Sequence, residues 1–477
     1  MSRFKEGLPR NQLIMFPETI DEYISEENPV RFINAFVNEL SMSKLGFKRS
    51  NPMAKGTSPY NPKDLLKLYI YGYLNKIRSS RKLAKEIRRN VELMWLLKKL
   101  KPDFKTISDF RKNNLKGIQN VCKQFTLLCK DLGLLSSNLV AIDGSKFKAC
   151  NSLDRNYSLK YIEKKISKID ESITKYLQEL DKNDNYEKTH KKITKPELLN
   201  KIESMKEKLK YYSELEKKLK KSGETEVSLT DPDSRLMKDK KSFVIGYNVQ
   251  SVVDSENHII VAHEVVQDKN DLYQLSKMAK KSQEIMQSKS LKVVADKGYY
   301  TEDEIVKTKS LGIEPNVIKP KPGISKKYKD LYPKDKFHYN KEKDHYVCPV
   351  GENLKFTGTG KSKKRLLRYY ETSKCKLCKL KLKCTSDKRG RRITRSSNIE
   401  IIEEMVQRMK IDPDIALKRK SIVEHPFGTI KRGLDQEYFL LRGLEKVKTE
   451  MSLSVLVYNM KRVLNIFDIK YLIKQIV

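Results

Sequence analysis

The sequence predicts an α/β protein preceded by an all-helical segment, and three observations carry that reading. Before about residue 137, apolar residues keep helical spacing between capping signals. After it, short β-branched runs bounded by turn residues recur, as strands do. Two long stretches, 155–225 and 321–397, interrupt the second pattern. The chain has 477 residues, 38% of them hydrophobic, enough for about three folded units. No run of 18 apolar residues is present, so no membrane association is expected. Met1 to Gln12 lack the apolar centre of a secretory signal, and seven cysteines without one argue against a disulfide scaffold.

Residues 1–136 form the helical segment. Asn28-Pro29 and Asn61-Pro62 each supply a cap with Pro at the first helical position. Leu65, Leu66, Leu68, Tyr69 and Tyr73 make a helical stripe. Ser79-Ser80 opens a basic stretch with Arg81, Lys82, Lys85, Arg88 and Arg89. Thr106 to Asp109 reads as a helix start, with Gly133 as the stop. Short helices with basic faces suit a DNA reader; a plain bundle with solvated charges is an equal alternative.

Residues 137–477 hold the α/β part. Leu139 to Gly144 reads as a short buried strand ending on Asp143. Ser242 to Asp254, His258 to Val266 and Lys292 to Asp296 read as further strands. Within 155–225, Leu159, Ile162, Ile166, Ile169, Ile173, Tyr176 and Leu180 alternate steps of three and four. Asp181 to His190 is a polar break, Thr194 to Glu197 a capping box, and Leu198, Ile202, Met205, Leu209 and Tyr212 resume the seam. One narrow seam per helix predicts a coiled-coil hairpin. The basic stretch 321–397 holds Cys348, Cys375, Cys378 and Cys384, a donor set and spacing that fit a structural Zn²⁺. Cys122, Cys129 and Cys150 read as ordinary buried thiols. Beyond residue 398 the pattern is helical again.

Lys+Arg number 99 against 61 Asp+Glu, a formal net charge of +38. Such a surplus fits a polyanion, and nucleic acid leads. Moving a phosphodiester bond gathers charge on two oxygens, which paired Mg²⁺ ions held by converging carboxylates can neutralise. Asp143 and Asp296 both end apolar runs, and both are followed within two residues by Gly. Glu424 stands in an apolar-basic helical context. Spacing alone leaves competitors: Asp231, Asp233, Asp254, Asp268 and Asp271.

Three ordered blocks sharpen the choice. They are Ala141 to Lys146, Ala295 to Tyr299 and Val423 to Arg432, the last running Glu424-His425-Pro426-Phe427-Gly428-Thr429-Ile430-Lys431. Together they resemble the blocks of bacterial insertion-sequence DDE transposases, enzymes with an RNase H-like core. Pro62 to Asn113 is similar to the InsH-type N-terminal domain, and the cysteine set resembles a cysteine-rich insertion of one branch. The resemblance implies that Asp143, Asp296 and Glu424 hold Mg²⁺ or Mn²⁺. It puts Lys431, seven positions on and on the same helical face, against DNA phosphate. Where the family often has Tyr and Arg before the Glu, this chain has Leu417 and Lys420, with Arg419 beside it. Pro426 predicts that Glu424 sits at a helix start or kink. The expected reaction is cleavage of element ends and joining to target DNA, by a cytoplasmic, nucleoid-associated enzyme acting as a homodimer. A transposase-derived DNA-binding protein without catalysis, or a nuclease that does not join, are the alternatives.

Overall fold

The computed structural model describes residues 19–51, 59–135, 138–151, 155–185, 195–239, 242–320, 331–362 and 365–476. The helical segment contains α1 (Pro29–Glu39), α2 (Pro62–Leu74), α3 (Ser80–Glu86), α4 (Val91–Leu96), α5 (Phe104–Asn113) and α6 (Leu115–Asp131). The Asn28 and Asn61 side chains cap α1 and α2, accepting from Val30 N and Lys63 N. The cap of α5 is Asp103, which accepts from Thr106 N at 2.7 Å, so this helix starts one turn before the Thr106 signal. Asn114 then separates α5 from α6. Gly133, with φ 76°, lies just past the end of α6, in the left-handed region that glycine enters without strain.

Strand β1 (Leu139–Lys148) is the spine of the α/β part. It is longer than the apolar run suggested, and Asp143 lies within it rather than at its end. Next come β2 (Asn156–Ser158), α7 (Leu159–Asn185), α8 (Lys195–Ser222) and β3 (Glu226–Ser228). Strands β2 and β3 pair with each other at the foot of α7 and α8. Helix α7 continues to Asn185, through the first half of the expected polar break; the rest of that break and Thr194 lie outside the described residues. Ile173, Leu180, Leu198 and Ile202 form one apolar cluster between the helices, and Ile162, Leu215 and Leu219 another. Neither cluster joins the main core.

The chain continues with β4 (Arg235–Asp239), β5 (Ser242–Asp254), β6 (Ile260–Val266), α9 (Leu275–Met286), β7 (Lys292–Ala295), α10 (Glu302–Ser310) and β8 (Glu314–Val317). The sheet order is β4-β5-β1-β7-β8, with β6 also on β5. Strand β5 runs antiparallel to β1, while β7 is parallel to β1 and β8 to β7. This mixed sheet is consistent with an RNase H-like core. Val140, Ala141 and Ile142 are all fully buried, so β1 is covered on both faces and carries a continuous apolar run.

A second sheet holds β9 (His338–Asn340), β10 (His345–Val347), β11 (Asn353–Ser362), β12 (Arg365–Glu371) and, after α11 (Lys381–Cys384), β13 (Ile393–Ser396). Its core is small: Phe337, Tyr346, Leu354, Tyr370 and Ile393. Helices α12 (Ile399–Ile411), α13 (Asp414–Gly428), α14 (Leu444–Ile466) and α15 (Ile469–Ile476) close the chain. Helix α13 packs on β1, β5 and β7. Helix α14 packs on β6 and also on α2 and α6. One hydrophobic core therefore runs from Phe32 and Phe125 through the sheet to Tyr458. Buried Arg78, whose guanidinium lies 3.6 Å from Glu450 of α14, seals the same junction. No described helix is long and apolar enough to cross a membrane.

Candidate active site

The register of β1 and β7 builds the site. Ile142 stands opposite Ala295 in the parallel ladder. The next residues, Asp143 and Asp296, therefore leave the paired region side by side. There β7 ends, and Asp296 caps a short turn by accepting from Gly298 N at 2.8 Å. Strand β1 continues, paired with β5, where Asp143 stands opposite Ser251. The apolar run stops at Asp143 because its parallel neighbour stops there.

Burial pushes the Asp143 carboxyl up to about 6; the Arg419 guanidinium pulls it down, and the negative charges of Asp296 and Asp271 push it further up. Arg419 lies 3.6 Å from Asp143 Oδ1, with only 16% of its side chain exposed. Like charges in a low dielectric resist joint ionisation, and a cation reverses that preference. Oxygen donors of this kind suit Mg²⁺ or Mn²⁺.

Glu424 is not brought to the pair. It lies within α13, neither at its start nor at a break, and 65% of its side chain is exposed. Its partner is Lys420, at 4.0 Å. Pro426 is accommodated inside the helix, and the chain goes straight into a π-helical turn, Thr429–Gly433. That turn changes the direction of Lys431. Instead of sharing a face with Glu424, Lys431 donates to the Lys146 carbonyl of β1 at 2.8 Å and lies 4.6 Å from the Phe147 ring.

The competing acids separate clearly. Asp231 is fully buried and accepts from Tyr247 Oη and Gly443 N. Asp233 accepts from Leu444 N at the start of α14. Asp254 accepts from the backbone of Glu256 and Asn257 in a turn. These three hold structure. Asp268 accepts from Gln274. Asp271 stands near Asp143 and its charge pushes that carboxyl up, a placement that residue spacing alone did not single out.

In the N-terminal helices, Arg81, Lys82, Lys85, Arg88 and Arg89 are all exposed. Arg81 lies over Phe104, and Arg89 pairs with Glu86. The four cysteines of the second sheet are neighbours: burial pushes the Cys384 thiol up, Arg391 opposes this, and Cys375, Cys348 and Cys378 add to the rise. Among the described residues, however, no three His, Cys, Asp or Glu side chains stand close enough to hold a metal ion. Neither the expected carboxylate trio nor the expected four-thiolate site is therefore drawn together at coordinating distance. All seven cysteines are free; Cys122 and Cys129 are buried as expected, whereas Cys150, just past the end of β1, is only half-buried.

Comparison with known proteins places two matches on this frame. Residues 18–113 match a transposase domain family, and residues 347–464 match a transposase DDE domain family. No curated protein matches the chain. Among solved structures, a piggyBac transposase synaptic complex with hairpin DNA aligns over 94% of this chain and 79% of that one, at 8% identity and a TM-score of 0.33. At that score the likeness carries no structural argument.

Proposed function

We infer that this chain, a transposase by its two domain matches, is a DDE enzyme that cuts the ends of a DNA element and joins them to target DNA. The observation that supports this most is the adjacency of Asp143 and Asp296 just past the last pair of the parallel β1–β7 ladder, with Asp143 buried and pushed up to about 6. Such a pair is costly in a folded protein unless a cation is to be held there. Asp143 and Asp296, joined by Glu424 once it is brought to them, would hold divalent ions, which would supply Lewis-acid stabilisation of the attacking and leaving oxygens.

The chain's own residues do the rest. Arg419 neutralises Asp143 in the metal-free protein. Arg419 and Glu424 are five residues apart, about 140° around a helix of 3.6 residues per turn. A turn of α13 that brings Glu424 toward the aspartates therefore carries Arg419 outward, to DNA phosphate. The π turn after Gly428 is a place where such an adjustment is absorbed. Lys431 backs β1, and Lys420 is free to meet phosphate once Glu424 has moved. Arg81, Lys82, Lys85, Arg88 and Arg89 contact the element's ends. Two protomers pair the two ends, and Cys348, Cys375, Cys378 and Cys384 would hold a structural Zn²⁺ if drawn closer together than they stand in the metal-free chain.

Incubation with duplexes carrying the element's ends, target DNA and Mg²⁺ tests the reading. Joined product is expected. Cut but unjoined ends would make it a nuclease, and binding without cutting a DNA-binding regulator.

A further inference from the structure

Asp271 lies in the loop between β6 and α9, and its position is expensive to build. Its Oδ1 accepts from Asn248 Nδ2 at 2.6 Å and Gln250 Nε2 at 2.7 Å. Both amides are fully buried on β5. Lys146 Nζ of β1 is 3.5 Å from the same oxygen. Gln250 stands opposite Gly144 in the ladder, and Asn248 opposite Lys146. A Cβ added at Gly144 would come within 2.5 Å of both Asp271 Oδ1 and Gln250 Nε2. The glycine next to Asp143 therefore leaves room for this carboxylate. On its other side Gln250 accepts from the buried Tyr299 hydroxyl, three residues past Asp296. One amide thus ties Asp271 to the turn that carries Asp296.

We propose that Asp271 is a further acidic residue of the cation pocket, a positioning residue that lends charge to the divalent metal held at Asp143 and Asp296. This rests on the reading of those two aspartates as metal ligands. An asparagine could accept the same two amide hydrogens without setting a third negative charge beside Asp143 and Asp296. Lys146 and Arg419 offset only two of the three carboxylates. The remaining charge favours a divalent cation and costs the metal-free protein stability.

The test is Mn²⁺ titration of the metal-free full-length protein, with free Mn²⁺ read by electron paramagnetic resonance. Asp271→Asn keeps shape and removes charge, and should weaken Mn²⁺ binding about tenfold, the scale of outer-layer partners at metal sites. Gly144→Ala, which displaces Asp271 and leaves every carboxylate in the chain, should weaken it in the same direction. Asp268→Asn, which touches only the Gln274 contact, should bind Mn²⁺ like the parent. Circular dichroism and end-DNA binding should be unchanged in all three. If Asp271→Asn binds Mn²⁺ as tightly as the parent while Asp143→Asn does not, Asp271 has no such role. If Asp143→Asn and Asp296→Asn also bind normally, the metal-site reading itself fails.

Discussion

Burial of the Asp143 carboxylate carries a cost that depends on pH. An unfolded chain holds this carboxyl near ~3.9, whereas burial pushes it up to about 6 in the fold. Between those values the folded state binds more protons, so this group's contribution to stability falls as pH rises from about 4 to about 6, and stays low above that. Asp143→Asn removes the cost. In metal-free urea unfolding at pH 8 the variant should be more stable than the parent by about 1–3 kcal/mol, with the gap closing near pH 4. The lost Arg419 contact keeps the gain at or below the upper figure. Equal stability at both pH values would mean that Asp143 is not held against its charge. Asp143 and Asp296 were legible because each ends an apolar run, and burial on both faces makes such runs. Asp271 was legible only as one of five competing acids, since its partners Asn248, Gln250 and Lys146 meet it only through strand register. Nor was the inward reach of Arg419, which depends on which face of α13 packs on the sheet.

Elements were legible where a periodic pattern was long. Strand β5 spans the Ser242–Asp254 run, and α7 and α8 follow their three-four seam. Element ends were less so. Strand β1 runs past Asp143 because β5 still pairs with it, a contact 108 positions away at Asp143–Ser251. Helix α13 passes Pro426 without breaking, and the Ile422 carbonyl that proline cannot serve meets the His258 ring instead. The second sheet shows the limits of a small core. Five buried side chains are too few to fix five strands unaided, and units this small usually need a metal or other staple. Treatment of the full chain with a zinc chelator, or Cys378→Ser, should therefore open residues 347–396 to protease while the main core stays protected. A second sheet equally resistant with and without chelator would show that the cysteines hold no structural metal.

At the scale of the whole molecule, the helical segment and the α/β part are not separable units. Helix α14 packs on α2 and α6 as well as on β6, and one core crosses the junction. Arg111, nearly buried, donates to Tyr73 Oη at 3.2 Å, and Arg78 lies beside Glu450 in the same wall. A fragment of residues 1–135 loses α14, exposes that wall and strands the buried Arg78 guanidinium, whose partners Glu450 and the Tyr438 carbonyl lie outside it. It should be largely unfolded by circular dichroism and should not select end DNA, whereas the full chain should bind with affinity falling steeply as salt rises. A folded, end-selective fragment would return recognition to an autonomous domain. The boundary at 137 marked a real change of texture in the sequence. It carried no sign of α14, because packing between residues more than 300 positions apart leaves no local pattern. We propose that one catalytic site in this molecule both cuts and joins DNA through Asp143, Asp296 and Glu424. The most direct measurement follows strand cleavage and joining by Asp143→Asn, Asp296→Asn and Glu424→Gln on the element's own ends with Mg²⁺, alongside end binding. Each variant should lose both reactions by at least a thousandfold, about 4 kcal/mol of barrier, and bind the ends as the parent does. Normal cleavage by Glu424→Gln, or by either aspartate variant, would contradict the account.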